Sequence, residues 1–149
     1  KREFYAELID SLYTRDCSEF VRVEVLPHLQ GGTFLMPAEV CRARLKAFIE
    51  AVDVPVQLVC DLPSYDWMLF RRLIGDAWPS NLARNSYTFD PGAGGLPKRA
   101  AEAAGAARNR YYDTPGRPIH HALHDAAALR AAWLAGMELG WCPGAPTRM

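Results

Sequence analysis

The chain has 149 residues, half of them apolar and 23% charged, which is enough for one globular domain with a real core. Seventeen Lys and Arg balance seventeen Asp and Glu, which excludes bulk electrostatic capture of nucleic acid and leaves local or metal-mediated contacts with phosphate. No apolar run approaches the ~18 residues of a membrane span and nothing resembles a signal peptide, so a cytoplasmic protein is expected.

The four cysteines, Cys17, Cys41, Cys60 and Cys142, show no C-x-x-C spacing. Free, mostly buried thiols in a reducing compartment are expected. Glu3 to Ile9 alternates, with Phe4, Ala6 and Leu8 on one face and Glu3, Tyr5 and Glu7 on the other, as in a half-buried strand with solvated glutamates. Asp16 to Leu26 reads two ways. Val21, Val23 and Val25 alternate as in a strand, yet Asp16 or Ser18 could cap a helix running to Pro27. Gly31-Gly32 marks a turn, and Pro37 opens a helix whose apolar stripe is Cys41, Leu45, Phe48, Ile49 and Val52.

Val54 to Cys60 is short, β-branched and nearly all apolar, which predicts a strand buried on both faces. Ser64 is placed to cap the next helix, which reaches Ile74. The glycine-rich run from Asp90 to Gly95 is a loop, Ala100 to Arg110 is helical, and Thr114-Pro115-Gly116 is a turn. A last helix begins near Pro118 to His121 and ends by Gly140. There are no repeats and no composition break, so residues 1–149 read as a single α/β domain.

Two carboxylates stand out. Asp66 lines up with Leu69, Phe70 and Leu73, and Asp125 with Ala122 and Leu129, each on the stripe expected to face the core. An unpaired buried carboxylate is costly, so each needs a partner. Asp66 could simply be a first-turn residue favoured by the helix dipole, and Asp125 could pair with Arg130 or Arg117. Context adds a second reading. Asp66 follows the C-terminal end of a buried strand, where open α/β sheets place ligands. Convergent carboxylates there can hold Mg²⁺ or Mn²⁺, which prefer oxygen ligands.

Three of the four histidines lie in His120-His121-Ala122-Leu123-His124-Asp125. His120 and His124 have the i, i+4 spacing of a zinc site, but the glutamate of H-E-x-x-H is missing. His28, His121 and His124 read as loop or surface residues. The string H-x4-D at the start of a helix, within H-H-A-L-H-D-A, resembles the third motif of the DEDDh 3′–5′ exonucleases, the proofreading-exonuclease and ribonuclease T type. Val59 to Phe70, a strand running into a helix with an aspartate after an aromatic residue, resembles that family's second motif.

The resemblance implies a ribonuclease H-like fold, a mixed sheet flanked by helices, and makes Asp16 to Leu26 helical. It implies that Asp66 and Asp125 are metal ligands for two divalent cations, Mg²⁺ or Mn²⁺, and that His120 is the general base. Two cations about 4 Å apart would clamp the scissile phosphate, one activating water and the other stabilising the leaving 3′ oxygen. A histidine suits proton removal near neutral pH. The implied substrate is a single-stranded nucleic acid 3′ end, with RNA slightly favoured because no polymerase is attached. Tyr65 and Trp67 flank Asp66 and could stack terminal bases, or one could pack in the core while the other lies on the surface. Lys98, Arg99 and Arg108 could track the backbone, or form a solvated helix face. A homodimer is compatible with the family pattern and with Trp133 and Trp141.

The family's first motif, Asp-x-Glu on the first strand, is not found here. The chain begins Lys1-Arg2-Glu3, already inside the first predicted strand, so that motif is expected upstream of Lys1 and the domain to be N-terminally incomplete. Where the family often has an asparagine before the second-motif aspartate, this chain has Asp61-Leu62-Pro63-Ser64; Asp61 is an extra acid or a strand-end cap. The competing readings are a non-catalytic ribonuclease H-like nucleic-acid-binding module and a zinc hydrolase using His120 and His124.

Overall fold

The computed structural model describes residues 2–9, 17–92 and 95–143. It is a mixed α/β protein whose chain divides into two compact units, Lys1–Tyr87 and Thr88–Met149.

In the first unit, β1 (Glu7–Leu8) pairs in parallel with β2 (Leu35–Met36), in the register Glu7 to Leu35 and Leu8 to Met36. The strand is far shorter than the alternation over Glu3 to Ile9 predicts, since only Glu7 and Leu8 pair with β2, and both of its sides are covered. Phe4 packs on Phe48 with centroids 5.5 Å apart, and Tyr5 meets Phe34 at 5.2 Å. Glu7, expected in solvent, is only 5% exposed. Its Oε1 accepts from Gln30 N at 2.7 Å and from the Tyr5 hydroxyl at 2.5 Å, while Oε2 accepts from Gly31 N at 2.9 Å. The bend that delivers these amides needs Gly31 at φ 63° and Gly32 at φ 58°, a region closed to most side chains.

Between the strands, the ambiguous segment is helical, as the resemblance implied and the alternation did not. Ser18 Oγ accepts from Val21 N at 3.3 Å, and a π-helical turn follows at Val21–Val25. Asp16, the other candidate cap, lies outside the described residues. Pro27 accounts for the wide turn: it has no N–H and its ring crowds the carbonyl of Val23, so the α-helical ladder cannot continue. Leu26 N instead reaches Val21 O, and a 3₁₀ turn, Leu26–His28, finishes the segment.

Helix α1 (Ala38–Glu50) starts after Pro37 as expected and buries Cys41 and Ile49. Strand β3 (Val56–Cys60) follows; Pro55 has no N–H to donate, and Val56 N makes the first bond, 2.8 Å to Asn81 O. The expectation of burial on both faces is not met. Val54 is 59% exposed, Gln57 is exposed, and only Cys60 of the strand is buried. Among the described residues β3 has one neighbour, β4 (Leu82–Thr88). Asn81 ties the connection together, its Nδ2 donating to Ile49 O at 3.1 Å and Val52 O at 2.7 Å. Arg42 Nε donates to Leu73 O at 2.6 Å, joining α1 to α2 (Asp66–Ile74). The core here is Met36, Cys41, Ile49, Cys60, Ile74 and Leu82.

The second unit is built on α3 (Lys98–Tyr112) and α4 (Ala122–Glu138), which pack along one another. Their buried positions are small: Ala100 and Ala104 on α3, and Ala128, Ala132 and Gly136 on α4. Such residues let helix backbones approach closely. Gly140, at φ 80°, ends α4 as predicted and returns Trp141 N to Gly136 O at 3.2 Å. Trp141 then packs on Phe89 and Trp133, with centroids 5.0 and 4.8 Å away. Among the described residues no helix is long and apolar enough to cross a membrane.

Candidate active site

The H-x4-D pair is brought together where α4 begins. Asp125 lies in the first turn of α4, where the helix dipole favours a carboxylate. Its Oδ1 accepts from the backbone N of His120 at 3.2 Å and from the Tyr112 hydroxyl at 2.7 Å. Tyr112 is the last residue of α3, so the close packing of the two helices carries its ring to Asp125. This contact stands where the alternative reading would have put an ion pair with Arg130 or Arg117. Arg117 instead lies over the Tyr111 ring, 4.3 Å from its centroid. Asp125 belongs to the face of α4 formed with Ala128, Ala132 and Gly136, and is itself half-buried; Ala122, expected beside it in the core, is exposed.

His120 is exposed and has φ 67°; it is the one non-glycine residue with positive φ among the described residues. A non-glycine residue at positive φ costs on the order of 1–2 kcal/mol and persists where neighbours enforce it. The bond from its amide to Asp125 is such a restraint. His121 and His124, expected at the surface, are drawn inward. His121 is only 4% exposed, and the His124 ring lies tilted against it, centroids 4.8 Å apart, while its Nδ1 lies 3.0 Å from the Tyr111 hydroxyl.

Burial pushes the Tyr112 hydroxyl up to about 12; the hydrogen bond to Asp125 and that residue's charge push the same way, and Arg108 beside it opposes them. The phenol therefore keeps its proton and donates it. A shallow cavity of about 310 Å³ opens next to this pair, lined by Tyr112 to Pro118.

Asp66 belongs to the first unit. It begins α2 and is exposed, contrary to the expected core-facing stripe. The helix is rotated by its aromatic rings. Trp67 stacks on Phe70 at 5.6 Å and meets Trp78 edge-on at 5.7 Å, so the inner stripe runs through Trp67, Phe70 and Ile74. Ser64 makes no capping bond at this helix; Asp66 Oδ2 reaches back to accept from Leu62 N at 3.3 Å. Burial raises the thiol of Cys60 at the end of β3, and the charges of Asp66 and Asp61 add to that rise. Of the two rings proposed to stack on bases, Tyr65 is 62% exposed, whereas Trp67 is engaged in the aromatic cluster.

The donor set suits a hard divalent cation in kind, being carboxylate oxygen. Asp125 fits as one ligand, because both of its hydrogen bonds fall on Oδ1 and its Oδ2 accepts none among the described residues. Among those residues no three of His, Cys, Asp and Glu come together, so Asp66 and Asp125 each offer one carboxylate from its own unit. Tyr112 was missed by sequence reasoning. The available signal was a matched offset: Tyr111 to His124 and Tyr112 to Asp125 are both separated by 13 positions. Compared with protein-family models, curated proteins and solved structures, the chain matches none.

Proposed function

We propose that the protein is a metal-dependent 3′–5′ exonuclease of ribonuclease H-like fold, removing nucleotides from single-stranded 3′ ends, with RNA slightly favoured. The observation that carries this reading is the hydrogen bond from His120 N to Asp125 Oδ1, 3.2 Å, holding a strained histidine beside a carboxylate at the head of α4. Asp66 and Asp125 are the ligands for Mg²⁺ or Mn²⁺. Such cations, when bound, activate water and stabilise the leaving 3′ oxygen. His120 is the general base, its side chain exposed to solvent at the head of α4. Tyr65 supplies an exposed ring for the terminal base.

The test is degradation of 3′-labelled and 5′-labelled single strands, RNA and DNA, by protein made from its complete coding sequence, with Mn²⁺ or EDTA. Early release of the 3′ label, a shrinking 5′-labelled ladder and abolition by EDTA are expected. His120→Ala should cost about 10²- to 10⁴-fold in rate, as loss of a general base does, and Asp125→Ala at least as much. Binding of the strand with no cleavage under any metal condition would leave the non-catalytic binding module as the better account.

A further inference from the structure

We propose that Tyr112 is the positioning residue of this site: its hydroxyl and the His120 amide together occupy Oδ1 of Asp125, leaving Oδ2 as the oxygen presented to a ligand. What Oδ2 then binds rests on the exonuclease reading; that Tyr112 sets the carboxylate does not.

The argument is one of donors and acceptors. A phenol has a single proton, and an ionised carboxylate can only accept. Arg108, whose positive charge acts on the Tyr112 hydroxyl, can only donate. The phenol's one proton is directed to Asp125, 2.7 Å away, which leaves its oxygen to face the Arg108 charge. The second donor to the same oxygen is the His120 backbone at 3.2 Å. Two donors converging on Oδ1 fix the rotation of the carboxylate and leave Oδ2 accepting nothing among the described residues. The same oxygen couples the two parts of the site, since any rotation of the carboxylate also loosens the His120 backbone from φ 67°. Groups that orient a metal-binding carboxylate typically contribute 10- to 100-fold in metal affinity or activity.

Tyr112→Phe removes the hydroxyl and keeps the ring, and is compared with the wild type in two ways. The first is the His120 amide proton in an NMR spectrum without metal, which should move upfield as its bond to the carboxylate is lost. The second is titration with Mn²⁺ alone, where binding should weaken about 10- to 100-fold. Loss of kcat with KM for the strand unchanged would accompany them. Arg108→Met keeps the phenol and removes the donor behind it; it should shift the amide in the same direction by less, and it serves if Tyr112→Phe does not fold. An unmoved His120 amide in a folded variant overturns the proposal. A wild type that neither binds Mn²⁺ nor cleaves would sink the exonuclease reading alone, since the amide shift still decides the role of Tyr112.

Discussion

Glu7 offers the sharpest test of how the first unit is held together. Among the described residues its carboxylate accepts hydrogen bonds from Gln30 N, Gly31 N and the Tyr5 hydroxyl, at a position 5% exposed. Glu7→Gln conserves size but offers one acceptor oxygen and one NH₂. If the oxygen takes the place of Oε1, the NH₂ faces the Gly31 N–H, donor against donor. That bond is lost, at about 2 kcal/mol for a charge-assisted contact, and the two that survive weaken by about 1 kcal/mol each as they become neutral. Relief of the carboxylate's desolvation returns part of this, so a net loss of about 2–3 kcal/mol is expected. Guanidinium unfolding followed by circular dichroism should show a lower midpoint. Exchange of the Gln30 and Gly31 amides should accelerate, localising the loss to the bend. An unfolding free energy within about 0.5 kcal/mol of wild type, with exchange of both amides unchanged, would refute the reasoning.

Two further outcomes concern the second unit. Gly105 is inside α3, and a Cβ built there meets nothing within 4 Å, so Gly105→Ala should stabilise the protein by about 0.8–1 kcal/mol, read as a higher denaturant midpoint. Tyr112 titrates at about 12 in the folded chain against 10.0 ordinarily, so its proton is held more tightly folded than unfolded. Its contribution is therefore complete below pH 10 and lost as pH rises from 10 through 12. Wild type and Tyr112→Phe should converge in stability across that window, and a difference that stays constant would contradict the assignment.

The elements most legible in the sequence were those with an unambiguous terminus. Pro37 opening α1 and Gly140 closing α4 act through backbone geometry that tertiary packing cannot easily override. Periodicity served less well wherever two patterns competed. In α2 the expected stripe through Asp66, Leu69, Phe70 and Leu73 and the observed one through Trp67, Phe70 and Ile74 share Phe70 and lie side by side on the helix. The second prevails because Trp78, distant from any helical repeat, completes an aromatic cluster with it. Val21 to Val25 alternates like a strand, and only the capping Ser18 and the terminating Pro27 mark it as helical. Glu7 was misplaced for a related reason: strand alternation predicts which side a residue faces, but the amides that solvate this carboxylate arrive from a bend more than twenty residues away.

The site shows the same division between local and long-range information. His120 and Asp125 are five positions apart at a helix start, so their meeting is written into the local chain. The strain at His120 is less readable, because positive φ at a histidine depends on an acceptor being held still for its amide. The residue that holds it, Tyr112, ends the preceding helix, and nothing in a stretch reading Arg108-Asn109-Arg110-Tyr111-Tyr112 marks one phenol as polar machinery and the other as packing. What separates them is the partner each one meets, His124 for Tyr111 and Asp125 for Tyr112. The packing of α3 along α4 brings the last turn of α3 against the first turn of α4, where both pairs meet.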